Sequence, residues 1–124
     1  MKDYHRLPDG ELTIMQIVWK NEPPVSRSVI EKELQDKKVL APSTIITFLT
    51  RLCDKGFLRV EHLGRTNLYT PLIDQKDYLA GESRDFLDRV YGGSVSAFAA
   101  SLCDGGLTAE EVEELRRLLE ENAL

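Results

Sequence analysis

The chain has 124 residues, 42% of them hydrophobic and 30% charged, and a formal net charge of −5. That length fits one compact domain, or a small head with a helical appendage, and it is enough to bury a core. The mixture excludes a disordered chain. No apolar run approaches the roughly 20 residues of a membrane span, and the opening MKDYHRLPDG lacks a signal-peptide core, so a soluble, cytoplasmic protein is expected.

The charge is unevenly placed. Residues 1–73 carry 11 Lys/Arg and 9 Asp/Glu, whereas residues 74–124 carry 5 and 12. The first part can approach a polyanion that the second part repels, so overall acidity does not exclude nucleic acid. Cys53 and Cys103 stand far apart, outside any CxxC or Cys/His cluster. Neither a disulfide framework nor a metal site is expected from them.

The first helix is predicted from Asp9, read as its cap, to about Asn21, with Leu12, Met15, Val18 and Trp19 as its buried stripe. Pro23-Pro24 ends it, since proline brings no amide proton and restricts the residue before it. Val25 can pair briefly as a strand. Ser26 is placed to cap a second helix that ends near Gln35, with Val29, Ile30 and Leu34 inward. After the polar connection Asp36-Lys37-Lys38, a third helix begins around Pro42, a residue suited to a first helical position, and runs to about Lys55 before Gly56.

At 100° per residue, Ile45, Phe48, Leu49 and Leu52 share one side of that helix. Ser43, Thr47, Thr50, Arg51 and Asp54 share the other, with Thr44 at the margin. Short hydroxyls and an arginine, with few bulky acids, suit a DNA groove. Leu58-Arg59-Val60-Glu61-His62 alternates as a half-buried strand does, Gly64-Arg65-Thr66-Asn67 reads as a turn, and Leu68-Tyr69-Thr70 returns before Pro71. Arg65 would project from the tip of this hairpin. Lys37, Lys38 and Lys55 read first as solvated charges and second as contacts to a phosphate backbone, with Lys55 completing the candidate set. Ser26 and Arg27 could also offer a phosphate an amide and a side chain.

From Asp74 the pattern is wholly helical. One helix carries Tyr78, Leu79, Phe86, Leu87 and Val90 as far as Tyr91, where Gly92-Gly93 interrupts. Ser94 can cap a short helix with Val95, Phe98, Ala99 and Leu102. Asp104-Gly105-Gly106 breaks again, and Thr108 with Glu111 forms a capping box for a last helix with Val112, Leu115, Leu118 and Leu119. Three short amphipathic helices with no sheet to lie on cannot hide their apolar faces within one chain, so a homodimer is expected. Phe86, Leu87, Val90, Val95, Phe98, Leu102, Val112, Leu115 and Leu119 are its candidate contacts. The fold expected is mostly α with a small β-hairpin: a winged helix-turn-helix head over residues 1–73 and a helical dimerisation region over 74–124.

These segments resemble the penicillinase and methicillin-resistance repressors, the BlaI/MecI family. The resemblance is carried by Glu11-Leu12-Thr13-Ile14-Met15-Gln16-Ile17-Val18-Trp19, Thr44-Ile45-Ile46-Thr47-Phe48-Leu49-Thr50-Arg51-Leu52 and Lys55-Gly56-Phe57-Leu58. It continues through Gly64-Arg65, Tyr69, Pro71-Leu72, Gly93-Ser94 and Leu107-Thr108-Ala109-Glu110-Glu111-Val112-Glu113-Glu114-Leu115. It implies a dimeric repressor on a palindromic, double-stranded operator of β-lactam-resistance-type genes, released when a membrane sensor system triggers proteolysis in the dimerisation region. By position, Thr44 and Thr47 would face bases and Arg51 would fix the helix on the backbone. The chain departs from the family at Ser43 and Ile46, where basic residues are common. It departs again at Ser101-Leu102, which stands where the best-known members have their scissile Asn-Phe pair. It also lacks the paired cysteines of copper-responsive relatives.

No enzyme is expected. His5 and His62 have no ligand or triad partners at suitable spacing, and no phosphate loop, nucleophile elbow or paired catalytic carboxylates appear. The acidic run Glu110–Glu114 favours a helix N-terminus rather than acid–base work. No cofactor is implied. The rival reading is a winged-helix module for protein contacts alone, which Ile46 would partly favour and the small polar face would not.

Overall fold

The computed structural model describes residues 6–37 and 39–122, so His5 and Lys38 lie outside the described residues. The chain divides into two compact units, residues 1–81 and 82–124. The division falls eight residues beyond the expected 73/74 boundary, for a reason given by one side chain, Tyr78.

The first unit, the head, begins with three helices, α1 (Asp9–Lys20), α2 (Arg27–Gln35) and α3 (Pro42–Asp54). Three short strands, β1 (Val25–Ser26), β2 (Leu58–Leu63) and β3 (Thr66–Pro71), form one antiparallel sheet in the order β1-β3-β2. Val25 pairs with Tyr69, and Val60 meets Tyr69 from the other side, so the hairpin is stitched to the entry of α2. This is the winged-helix arrangement.

Three helix signals act at the positions where the sequence places them. Ser26 accepts the Val29 amide and caps α2, Pro42 opens α3, and Gly56 takes φ +83° after its end. The first helix differs. Asp9 is not its cap: Pro8 holds that position without a side-chain hydrogen bond, and Asp9 stands in the first turn, where its charge suits the helix dipole. The buried side of α1 is also rotated from the expected stripe. Ile14, Met15, Ile17 and Val18 are fully buried, while Leu12 and Trp19 are half-buried at the edge. On α2, Ile30 and Leu34 point inward as expected, but Val29 is 37% exposed because it lies one position off their face.

The wing turn is tighter than the sequence suggests. Only Gly64 and Arg65 turn, and Thr66 and Asn67 already pair in β3 with Leu63 and His62. Gly64 has φ +62° while Arg65 does not enter the positive-φ region, which places the glycine where a two-residue hairpin turn demands one.

Tyr78 explains the late boundary. It stands in the first turn of α4 (Gln75–Tyr91), yet it is buried in the head. Its ring meets Trp19 at 5.6 Å and Phe57 at 5.7 Å between centroids. Its hydroxyl accepts the Leu7 amide at 3.0 Å, and Trp19 Nε1 donates to the Ile73 carbonyl at 2.9 Å. The head thus closes around the start of a helix that the sequence assigns to the tail. Tyr78→Phe is expected to destabilise the head by about 1–3 kcal/mol, because it keeps the ring and strands a buried amide proton. Urea unfolding of the two proteins checks this, and equal midpoints would remove the hydrogen bond from the account.

The second unit continues α4 and adds α5 (Val95–Ser101), a kinked turn (Leu102–Gly106) that leaves helical backbone at Asp104 and Gly105, and α6 (Ala109–Glu121). Gly92 and Gly93 have φ of 58° and 82° and end α4; Ser94 caps α5 by accepting from Ala97. Gly105, at φ 112°, makes the second break. The Thr108–Glu111 capping box opens α6 with both reciprocal hydrogen bonds formed. Phe86, Tyr91 and Phe98 cluster with centroids 5.2–6.2 Å apart. Even so, none of this unit's described residues is buried.

Candidate nucleic-acid interface

Within the first unit, the face of α3 turned away from the core is exposed among the described residues. Ile45, Leu49 and Leu52 anchor the helix, and Phe48 lies half-buried beside them. Gly10 on α1 lets the Phe48 ring approach: a Cβ there would stand 2.6 Å from Phe48 Cε2. With the inner side so fixed, Ser43, Ile46, Thr47, Thr50, Arg51 and Asp54 are all exposed and Thr44 is half-exposed at the margin. Arg65, at the wing tip, is exposed as well.

The hydroxyls are not equivalent. Thr47 Oγ1 donates to the Ser43 carbonyl at 2.9 Å, so its proton is engaged within the helix. What Thr47 offers outward is an oxygen that accepts and a methyl group, not the donor its sequence position suggests.

Lys55 departs from the set. Its ammonium reaches back 2.6 Å to Glu11 Oε1 on α1, and its side chain is 28% exposed against 1% for Glu11. The lysine expected beside DNA is holding the end of α3 to the start of α1. Glu11 was missed by the sequence reading, although it stands in register with Ile14, Met15 and Val18 on the buried side.

Between α3 and the wing runs a trough of about 360 Å³ lined by residues that include Arg27, Ile46, Thr50, Cys53, Asn67 and Tyr69. Burial pushes the Cys53 thiol up, with the Asp54 charge adding to it, and burial also pushes the Tyr69 hydroxyl up. Both therefore line the trough as neutral groups near pH 7. Arg27, at its edge, pairs with Glu31 at 3.0 Å. A second hollow, of about 110 Å³, joins Arg27 and Ser28 to Arg65 and Asn67. Among the described residues no cluster of His, Cys, Asp and Glu fits a metal ion.

In the second unit, Val90, Val95, Phe86, Leu118 and Leu119 are exposed, and Leu87, Phe98, Leu102, Val112 and Leu115 are half-buried. Ser101 closes α5 and Leu102 opens the turn that follows it, so the pair that the resemblance sets against a cleavage position is in helical backbone. Proteolysis favours exposed loops, and cutting here would first require local unwinding. No helix among the described residues is long and apolar enough to cross a membrane.

Comparison with known proteins agrees with this geometry. Residues 7–121 match the family model described as penicillinase repressor. The chain is 37% identical to the penicillinase repressor of Bacillus licheniformis over 123 residues, covering 98% of this chain and 95% of that one. It is 29% identical to the methicillin resistance regulatory protein MecI of Staphylococcus aureus (strain N315) over 116 residues, 93% of this chain and 94% of that one. Among solved structures, the DNA-binding domain of the repressor BlaI matches with a TM-score of 0.55 and 38% identity, covering 63% of this chain and 94% of that one. The monomeric form of Bacillus licheniformis BlaI, in complex with the blaP half-operator, matches with a TM-score of 0.53 and the same identity. With a family match over residues 7–121, the chain belongs to the penicillinase repressor family.

Proposed function

We propose that this chain is a sequence-specific, DNA-binding transcriptional repressor that acts as a homodimer on an inverted-repeat operator of resistance-type genes. The carrying observation is the open outer face of α3, flanked by the exposed Arg51 and by Arg65 on the wing. The complex of BlaI with a half-operator supports one head reading one half-site. In this reading α3 enters the major groove, Ser43, Thr44, Thr47 and Thr50 meet base edges, and Arg51 and Arg65 neutralise phosphates.

The homodimer rests on a physical argument about the second unit. A unit of helices that buries none of its described residues leaves its apolar stripes in water. A second copy is the simplest cover, because matching stripes on two copies are self-complementary about a two-fold axis. Two heads so joined bind two half-sites related by the same axis. The acidic tail stays off the phosphates while the heads dock.

Arg51→Ala and Arg65→Ala are each expected to weaken binding to all duplex sequences and to lower the slope of log K against log salt by about 1, since each phosphate neutralised by the protein displaces about one counterion. Filter binding or fluorescence anisotropy across a salt series measures this. Unchanged affinity and slope for both variants would contradict the groove assignment and favour a protein partner for α3.

A further inference from the structure

We propose that Ile46 is a specificity-determining residue, selecting thymine in each half-site by packing on the base's 5-methyl group. The inference rests on the operator-binding reading above and adds a contact to it.

Ile46 is 46% exposed on the outer side of α3. It lines the trough toward the wing together with Thr50, Arg27 and Asn67. Its side chain has neither donor nor acceptor, so it cannot neutralise a phosphate or hydrogen-bond a base. In the major groove only thymine offers a methyl group, and an apolar side chain is the partner for it. The neighbours make this contact more decisive. Thr47 has its proton engaged by the Ser43 carbonyl, so the middle of the face offers fewer donors than its composition suggests. On its own side of the helix, Ile46 has the exposed hydroxyl residues Ser43 and Thr50 one turn before and after it, and Leu49, Cys53 and Tyr69 toward the wing. A protein groove would call for several exposed apolar anchors at helical spacing, whereas Ile46 is the one large hydrophobic exposed on α3, which matches a single methyl. The exposed arginines Arg51 and Arg65 suit a polyanion as the occupant.

The test uses the full-length protein and the duplex it selects from random sequence. Each thymine is replaced in turn by deoxyuridine, which removes only the methyl group, and affinity is measured for wild type and for Ile46→Ala. One thymine per half-site is expected to lose about 4-fold for the wild type, the worth of one buried methyl. The same replacement leaves Ile46→Ala unchanged, a coupling that a double-mutant cycle isolates. Ile46→Gln should instead move preference at that position toward adenine, whose N6 and N7 a glutamine pairs. If every deoxyuridine affects wild type and variant equally and Ile46→Gln keeps the same selected base, the Ile46 contact is wrong while operator binding stands. If the wild type shows no salt-sensitive duplex binding at all, the operator reading fails and the contact falls with it.

Discussion

Leu119→Glu is expected to separate the proposed homodimer and to lower affinity for a full inverted-repeat operator by about 10²- to 10⁴-fold, while binding of a single half-site stays unchanged. Leu119 is 64% exposed on α6, in the stripe that also holds Val112 and Leu115. Covered by a second copy, it would lie in an apolar seam. A carboxylate there loses its hydration without gaining a partner, a cost that an interface of short helices cannot absorb. The large effect on DNA comes from arithmetic, not from a contact with DNA. Joining two heads makes the second half-site an intramolecular event, and breaking the joint forfeits that advantage. The head keeps its own core, since Leu119 lies in the other compact unit. Sedimentation equilibrium beside binding to half and full sites measures both parts. A Leu119→Glu protein that stays dimeric with wild-type affinity would move the interface off α6.

Lys55→Ala is the second large effect, expected to cost about 2–3 kcal/mol of stability and to leave the salt slope of DNA binding unchanged. Glu11 is buried in the core side of α1, and Lys55 is the cation that stands against it. Removing one partner of a buried pair strands the other, typically at about 3–5 kcal/mol. Here Lys55 is 28% exposed, so water can enter and reduce the penalty. Glu11→Gln should cost less, because the lysine left behind can swing into solvent. For a head of this size the loss corresponds to a fall in Tm of roughly 8–24 °C. Thermal unfolding of both variants and a salt titration of Lys55→Ala separate the two readings of this residue. A wild-type Tm with a flattened salt dependence would return Lys55 to the DNA.

These two residues also show where sequence reasoning succeeds and where it stops. The boundaries of α2, α3 and α6 were legible because a local chemical signal marks each: Ser26, Pro42 and Thr108 act within one turn of the chain. The outer face of α3 was legible for a similar reason, since helical periodicity alone separates Ser43, Thr47, Thr50 and Arg51 from Ile45, Leu49 and Leu52. Features set by distant partners were not. Glu11 and Lys55 are 44 positions apart, and Leu7 and Tyr78 are 71 apart. Nothing near Lys55 in sequence tells a solvated lysine from one tied to α1, and nothing near Tyr78 tells a tail residue from the closing side chain of the head. The use of Thr47's proton was equally hidden, since a threonine mid-helix can turn its hydroxyl inward or outward.

Selection of bound sequences from a pool of random duplex DNA tests the central claim most directly. The account predicts enrichment of an inverted repeat whose half-sites are centred about one helical turn, or a whole number of turns, apart. Enrichment of no sequence, or of a lone unrepeated motif, would contradict a homodimer that reads DNA through α3.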